Sequence, residues 1–73
     1  MEGELQRTLG RNLKAIREAQ GFSQEEFAHV IGYHRTYVGG LERGERNLSL
    51  QRVERLADRL GVEPLDLLTS SDA

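Results

Sequence analysis

The chain has 73 residues, with 10 Lys and Arg against 12 Asp and Glu for a net charge of -2, and no cysteine. That length allows one domain, residues 1–73, near the lower size at which a chain folds without metals or cross-links. The missing cysteines exclude disulfides and thiolate zinc sites, and the mild acidity argues against a protein that coats nucleic acid without selection, because neutralising phosphates takes a surplus of Lys and Arg.

Met1 to Gln6 is polar apart from Leu5 and is expected to fray. Leu5, Leu9, Leu13 and Ile16 recur at i, i+4, i+8 and i+11, so an amphipathic first helix is predicted from roughly Glu4 to Gln20, with Gly21 ending it. Gly10 inside that helix costs up to ~1 kcal/mol against alanine and suggests a close helix contact. Ser23 is a helix N-cap with Glu26 three residues on to close a capping box, and Phe22 with Phe27 forms a hydrophobic staple. The second helix buries Phe27, Ala28 and Ile31 and stops at Gly32 after about two turns. Tyr33 and His34 follow, and Arg35 opens a third helix that buries Val38 and Leu41, exposes Arg35, Thr36, Tyr37, Gly39 and Gly40, and ends at Gly44.

Two short helices joined by a three-residue turn containing glycine describe a helix-turn-helix, whose second helix enters the DNA major groove. Glu45 to Leu48 is a charged loop. Ser49 caps a fourth helix carrying Leu50, Val53, Leu56, Ala57 and Leu60, and Gly61 ends it. Pro64 suits the first position of a fifth helix reaching about Thr69, and the SSDA tail is expected to be disordered. The reading is all-α, with five helices, no strand and no repeat.

Charge is unevenly spread. Arg7, Arg11, Lys14 and Arg17 lie in the first helix and Arg35, Arg43 and Arg46 in or after the third, whereas the chain beyond Leu60 carries only acids. One face can therefore be positive on an acidic molecule, as suits a binder that draws affinity from base contacts. His29 and His34 make a weak metal case, so no metal, cofactor or catalytic residue is expected. No run approaches a transmembrane helix and the acidic start is unlike a signal peptide, so the expectation is a cytoplasmic, nucleoid-associated chain without a membrane partner.

The order Arg17, Gly21-Phe22-Ser23-Gln24-Glu25-Glu26-Phe27-Ala28, Gly32, Tyr37-Val38, Leu41-Glu42-Arg43-Gly44, Leu56-Ala57, Leu60-Gly61-Val62 and Leu68 resembles the XRE-type, lambda-repressor-like DNA-binding domain of bacteria and phages. The resemblance covers about residues 9–68. The His-Arg-Thr-Tyr turn and the Glu-Arg-Gly-Glu-Arg-Asn loop are similar to the controller proteins of restriction-modification systems. The resemblance implies a compact five-helix fold and a transcriptional regulator that binds double-stranded DNA at a near-palindromic operator; a homodimer is expected from the leucine-rich fifth helix and from the few bases that one recognition helix reads.

It also implies roles for particular residues. Gln24 would bind a phosphate with the free amides of its helix end; the opposing reading is an ordinary exposed first-turn glutamine. Arg35 has the fork for guanine O6 and N7, and Thr36 offers a methyl to thymine or a hydroxyl to a base or phosphate. Tyr37 either donates to a phosphate or covers the core edge. Arg43 and Arg46 either complement the dipole at the end of the third helix or bind phosphate. His34 is a helix boundary residue that can still touch DNA from the groove edge.

Arg17 and Glu42 would pair across the first and third helices and fix the recognition helix in orientation. Gly39-Gly40 departs from the family pattern: either a tolerated defect, or, at Gly40, a close approach of backbone to DNA. Leu65, Leu67 and Leu68 exceed what so short a helix buries and form the expected dimer surface; the opposing reading has Leu65 and Leu68 complete the core and leaves Leu67 exposed. Glu25 and Glu26 offer an acidic pair to RNA polymerase, although the helix dipole is a simpler account of them. A different class of function, an antitoxin-like or adaptor module whose fifth helix binds another protein, competes with the regulator. An enzyme is remote, since the carboxylates scatter and there is no phosphate loop or paired-histidine motif.

Overall fold

The computed structural model describes residues 3–70, and these form α1 (Glu4–Ala19), α2 (Gln24–Ile31), α3 (Arg35–Glu42), α4 (Leu50–Leu60) and α5 (Pro64–Leu68), with no strand among the described residues. The capping box forms as the local sequence demands: Glu26 N–H donates to Ser23 Oγ (3.1 Å) while Ser23 N–H donates to Glu26 Oε1 (2.8 Å). The Phe22 and Phe27 rings meet at 6.5 Å, so the staple sets the entry of α2. Ser49 caps α4 by accepting from Arg52 N–H at 3.1 Å. Gly32, at φ 78°, supplies the left-handed backbone that turns α2 into α3 and lets its N–H reach Ala28 C=O at 2.9 Å.

The core is made by Leu9 and Leu13 of α1, Phe27, Ala28 and Ile31 of α2, Val38 and Leu41 of α3, Val53, Leu56 and Ala57 of α4, and Leu67 of α5. α1 packs on α3 and α5, and α2 packs on α3 and α4, so α3 is braced from two sides. α5 is tied down by a polar clamp. The Asn12 carboxamide N–H₂ lies 3.3 Å from Asp66 C=O, 2.8 Å from Leu67 C=O and 3.0 Å from Thr69 C=O, satisfying carbonyls that a five-residue helix leaves open at its end.

Several expectations are corrected. Residues 4–6 are helical rather than frayed, and Gln6 Nε2 donates to Asn47 Oδ1 at 2.7 Å, anchoring the first turn to the loop before α4; Met1 and Glu2 lie outside the described residues. Leu5 begins the apolar stripe yet is 60% exposed, at the rim of an apolar cleft it lines with Leu48, Leu50 and Leu68. Leu67 is only 1% exposed whereas Leu65 is 74% exposed and Leu68 partly buried, which reverses the reading that left Leu67 alone on the surface. Of the expected disordered tail, Ser71 to Ala73 lie outside the described residues, and Ser70 is engaged in an interaction.

Candidate nucleic-acid interface

The inner side of α3 is closed by two features. At Gly10 the helices approach so nearly that a Cβ would stand 2.3 Å from Leu41 C=O and 2.8 Å from Glu42 C=O, so only glycine lets α1 meet the α3 backbone. About two turns further along α1, Arg17 Nε donates to Glu42 Oε2 at 2.7 Å and Nη2 to Glu42 Oε1 at 3.1 Å, a bidentate pair whose side chains are 13% and 5% exposed. Arg17 Nη1 also donates to Phe22 C=O at 3.0 Å, so one guanidinium joins α1, the approach to α2 and α3. Burial pushes the Glu42 carboxyl up, but hydrogen bonds from Arg17 and Gln24 and the attraction of Arg17 and Lys14 outweigh it and hold the group below the ordinary value of 4.5. The hydrogen bond to Glu42 raises Arg17 in turn.

The expected phosphate ligand Gln24 is drawn into this seam: its Nε2 donates to Glu42 Oε1 at 3.0 Å. Its backbone amide remains among those at the start of α2 that have no partner within the helix.

The outer side of α3 carries the candidate readers. His34 is the N-cap, its Nδ1 accepting from Thr36 N–H at 3.2 Å, in agreement with its reading as a boundary residue. Arg35 and Thr36 follow in the first turn, both exposed. Arg35 Nη1 stands 3.9 Å from Glu25 Oε2 with both side chains well exposed, an ion pair of about 0–1 kcal/mol that a guanine or phosphate readily displaces. Glu26, by contrast, is committed to the Ser23 cap, whose backbone and side-chain hydrogen bonds lower its pKa; of the acidic pair only Glu25 is left to face a partner.

Gly39 and Gly40 are buried, contrary to the expectation that they lie exposed. What covers them is arginine. A Cβ on Gly39 would lie 3.1 Å from Arg43 Nη1, and one on Gly40 would lie 2.7 Å from Arg46 Nε. The two glycines thus form a bed on which Arg43 and Arg46 lie along the recognition helix, so the approach at Gly40 is to a side chain of the same chain. Arg43 also pairs with Glu45 at 3.1 Å across open solvent. The Arg46 guanidinium sits 5.3 Å from the centroid of Tyr37, and Tyr37 lies 4.9 Å from Tyr33 and packs partly buried against the core, so its ring covers the core edge.

The three leucines expected to form a dimer surface do not share a face. Leu68 lines an apolar cleft of about 180 Å³ with Leu5, Leu9, Leu48, Leu50 and Val53, while Leu65 is exposed and Leu67 is inside the core. Leu5 and Leu50, 60% and 77% exposed, were missed as surface apolar groups because each belongs to a helical stripe that reads as core. Tyr33 was missed as a stacking residue, although its spacing of four from Tyr37 was a usable signal.

A helix-turn-helix family model (HTH_3) matches residues 13–67. Control protein C.BamHI of Bacillus amyloliquefaciens is 39% identical over 69 residues, spanning 93% of this chain and 85% of that protein. Among solved structures, the hypothetical transcription factor NHTF from Neisseria superposes with a TM-score of 0.82 at 39% identity, over 92% of this chain and 77% of the other. The restriction-modification controller protein C.AhdI from Aeromonas hydrophila superposes with a TM-score of 0.73 at 45% identity, over 85% and 94%.

Proposed function

The chain belongs to the helix-turn-helix family, and from that premise we propose that it is a sequence-specific transcriptional regulator of the restriction-modification controller kind, acting as a homodimer on a near-palindromic operator. The observation that carries this reading is α3 itself, braced by Gly10 and the Arg17–Glu42 pair while Arg35 and Thr36 stand exposed in its first turn. Arg35 and Thr36 select bases. The amides at the start of α2 and the arginines after α3 set the register on phosphates. Glu25, exposed beside Arg35, is the one member of the acidic pair available for RNA polymerase.

Dimerisation follows from the reach of a single recognition helix, which spans too few base pairs to be selective alone. Exposed Leu5, Leu50 and Leu65 and the cleft beside Leu68 supply apolar surface for a second copy. The half-site centres then lie about one helical turn, ~10 base pairs, apart. Selection from a random duplex pool, combined with sedimentation, tests the reading. An inverted repeat of that spacing bound by two copies supports it; if no sequence is enriched and only weak, salt-sensitive binding remains, the chain is better read as a partner-binding module.

A further inference from the structure

The stack of Arg46, Tyr37 and Tyr33 along the flank of α3 has a fourth member. The guanidinium of Arg52, in the first turn of α4, lies over the Tyr33 ring at 6.0 Å from its centroid, so cation, ring, ring and cation follow one another from the loop after α3 to α4. No ion pair among the described residues engages either terminal arginine, and both are exposed. A guanidinium held over a ring keeps its charge and leaves its N–H donors without an anionic acceptor, so the ring steers its position without neutralising it. Such a group suits a phosphate. A carboxylate partner would have to be displaced first, whereas an aromatic face does not compete for the donors.

We propose that Arg52 is a DNA phosphate contact, held by Tyr33 as a positioning residue, and that the stack extends the interface from the recognition helix across to α4. The occupant is the DNA backbone, on grounds of charge and of continuity: Tyr33 adjoins Tyr37 of α3 and also lines the hollow beside Arg35. The proposal is confined to Arg52, the arginine of α4 that lies over a ring; Arg55 and Arg59 line a separate hollow with Tyr33 and Asp58. This inference rests on the DNA-binding reading above.

The test is the salt dependence of binding by the full chain to its selected duplex and to an unrelated duplex. Arg52→Gln keeps the backbone amide that Ser49 caps, so α4 retains its start. One lost phosphate contact lowers the slope of log affinity against log salt by about 0.9, so the wild-type advantage over Arg52→Gln shrinks about 3.5-fold between roughly 50 and 200 mM salt, on both duplexes alike. Tyr33→Phe preserves the stack and should bind as wild type, and Tyr33→Leu should lose the same increment as Arg52→Gln. The double variant Tyr33→Leu/Arg52→Gln should lose no more than either alone. An unchanged slope in Arg52→Gln, or a loss confined to the selected duplex, overturns the phosphate contact. Additive losses in the double variant overturn the positioning role. Absence of duplex binding by the wild type overturns the regulator reading and this inference together, whereas normal wild-type binding with an unaltered Arg52→Gln overturns this inference alone.

Discussion

The two sides of α3 use glycine in opposite ways. On the inner side Gly10 of α1 faces main-chain carbonyls, which cannot step aside, with an added Cβ 2.3 Å from Leu41 C=O. On the outer side Gly39 faces the end of Arg43 and Gly40 the middle of the Arg46 side chain, where an added Cβ would stand 2.7 Å from Nε and 3.2 Å from Cγ, and side chains can rotate where main chain cannot. The inner seam is therefore a fixed joint, closed further by a largely buried ion pair, and the outer face carries cations held only by glycine and aromatic rings. A recognition helix needs both: a backbone held in one orientation, and side chains free to adjust to bases and phosphates.

The sharpest way to break the inner seam is Glu42→Ala. It strands the Arg17 guanidinium, 13% exposed, beside an empty site. Removing one partner of a buried pair costs about 3–5 kcal/mol, much of the stability of a small domain. Denaturant unfolding measures it, and a midpoint equal to wild type would remove the seam from the account. Gly10→Ala comes next. Overpacking against backbone costs about 1–3 kcal/mol, more than offsetting the helix propensity that alanine adds. A thermal midpoint at or above the wild-type value would mean that the helices separate without cost.

Gly40→Ala is the matching substitution on the outer side and should leave the thermal midpoint close to that of wild type. Arg46 gives way and loses its contact with the Tyr37 ring, about 0.5–1 kcal/mol, while the helix gains up to ~1 kcal/mol of propensity. Destabilisation like that of Gly10→Ala would erase the distinction between the two sides.

Acid titration returns to the inner seam. The folded carboxyl of Glu42 lies below 4.5, so its stabilising contribution is complete above the unfolded value and is lost as pH falls through the folded one. Stability should hold from neutrality down to about pH 5 and then decline, and Glu42→Gln should flatten part of that decline. An acid limb identical in Glu42→Gln would place the titrating group elsewhere.

What was legible in the sequence was local. Ser23 and Glu26 stand three apart and close a box whatever lies beyond them, and Phe22 and Phe27 fix the entry of the same helix. The Arg17–Glu42 pair came from resemblance; 25 residues apart, it has no local pattern to betray it. The fifth helix was misread because five residues hold too little periodicity to tell Leu65 from Leu67, and the Asn12 clamp that orients it comes from more than 50 residues away. Gly39 and Gly40 read as exposed for a similar reason. Their cover arrives from Arg43 and Arg46, beyond the helix itself, and nothing in an eight-residue stripe announces that a later side chain folds back.

Whether a braced α3 presents Arg35 for base selection is decided by comparing the sequences that wild type and Arg35→Ala enrich from the same random duplex pool. Arg35→Ala should keep the wild-type thermal midpoint and still enrich the inverted repeat, but lose preference at one position in each half-site. An unchanged preference at every position would contradict this, and would move selection away from the first turn of the recognition helix.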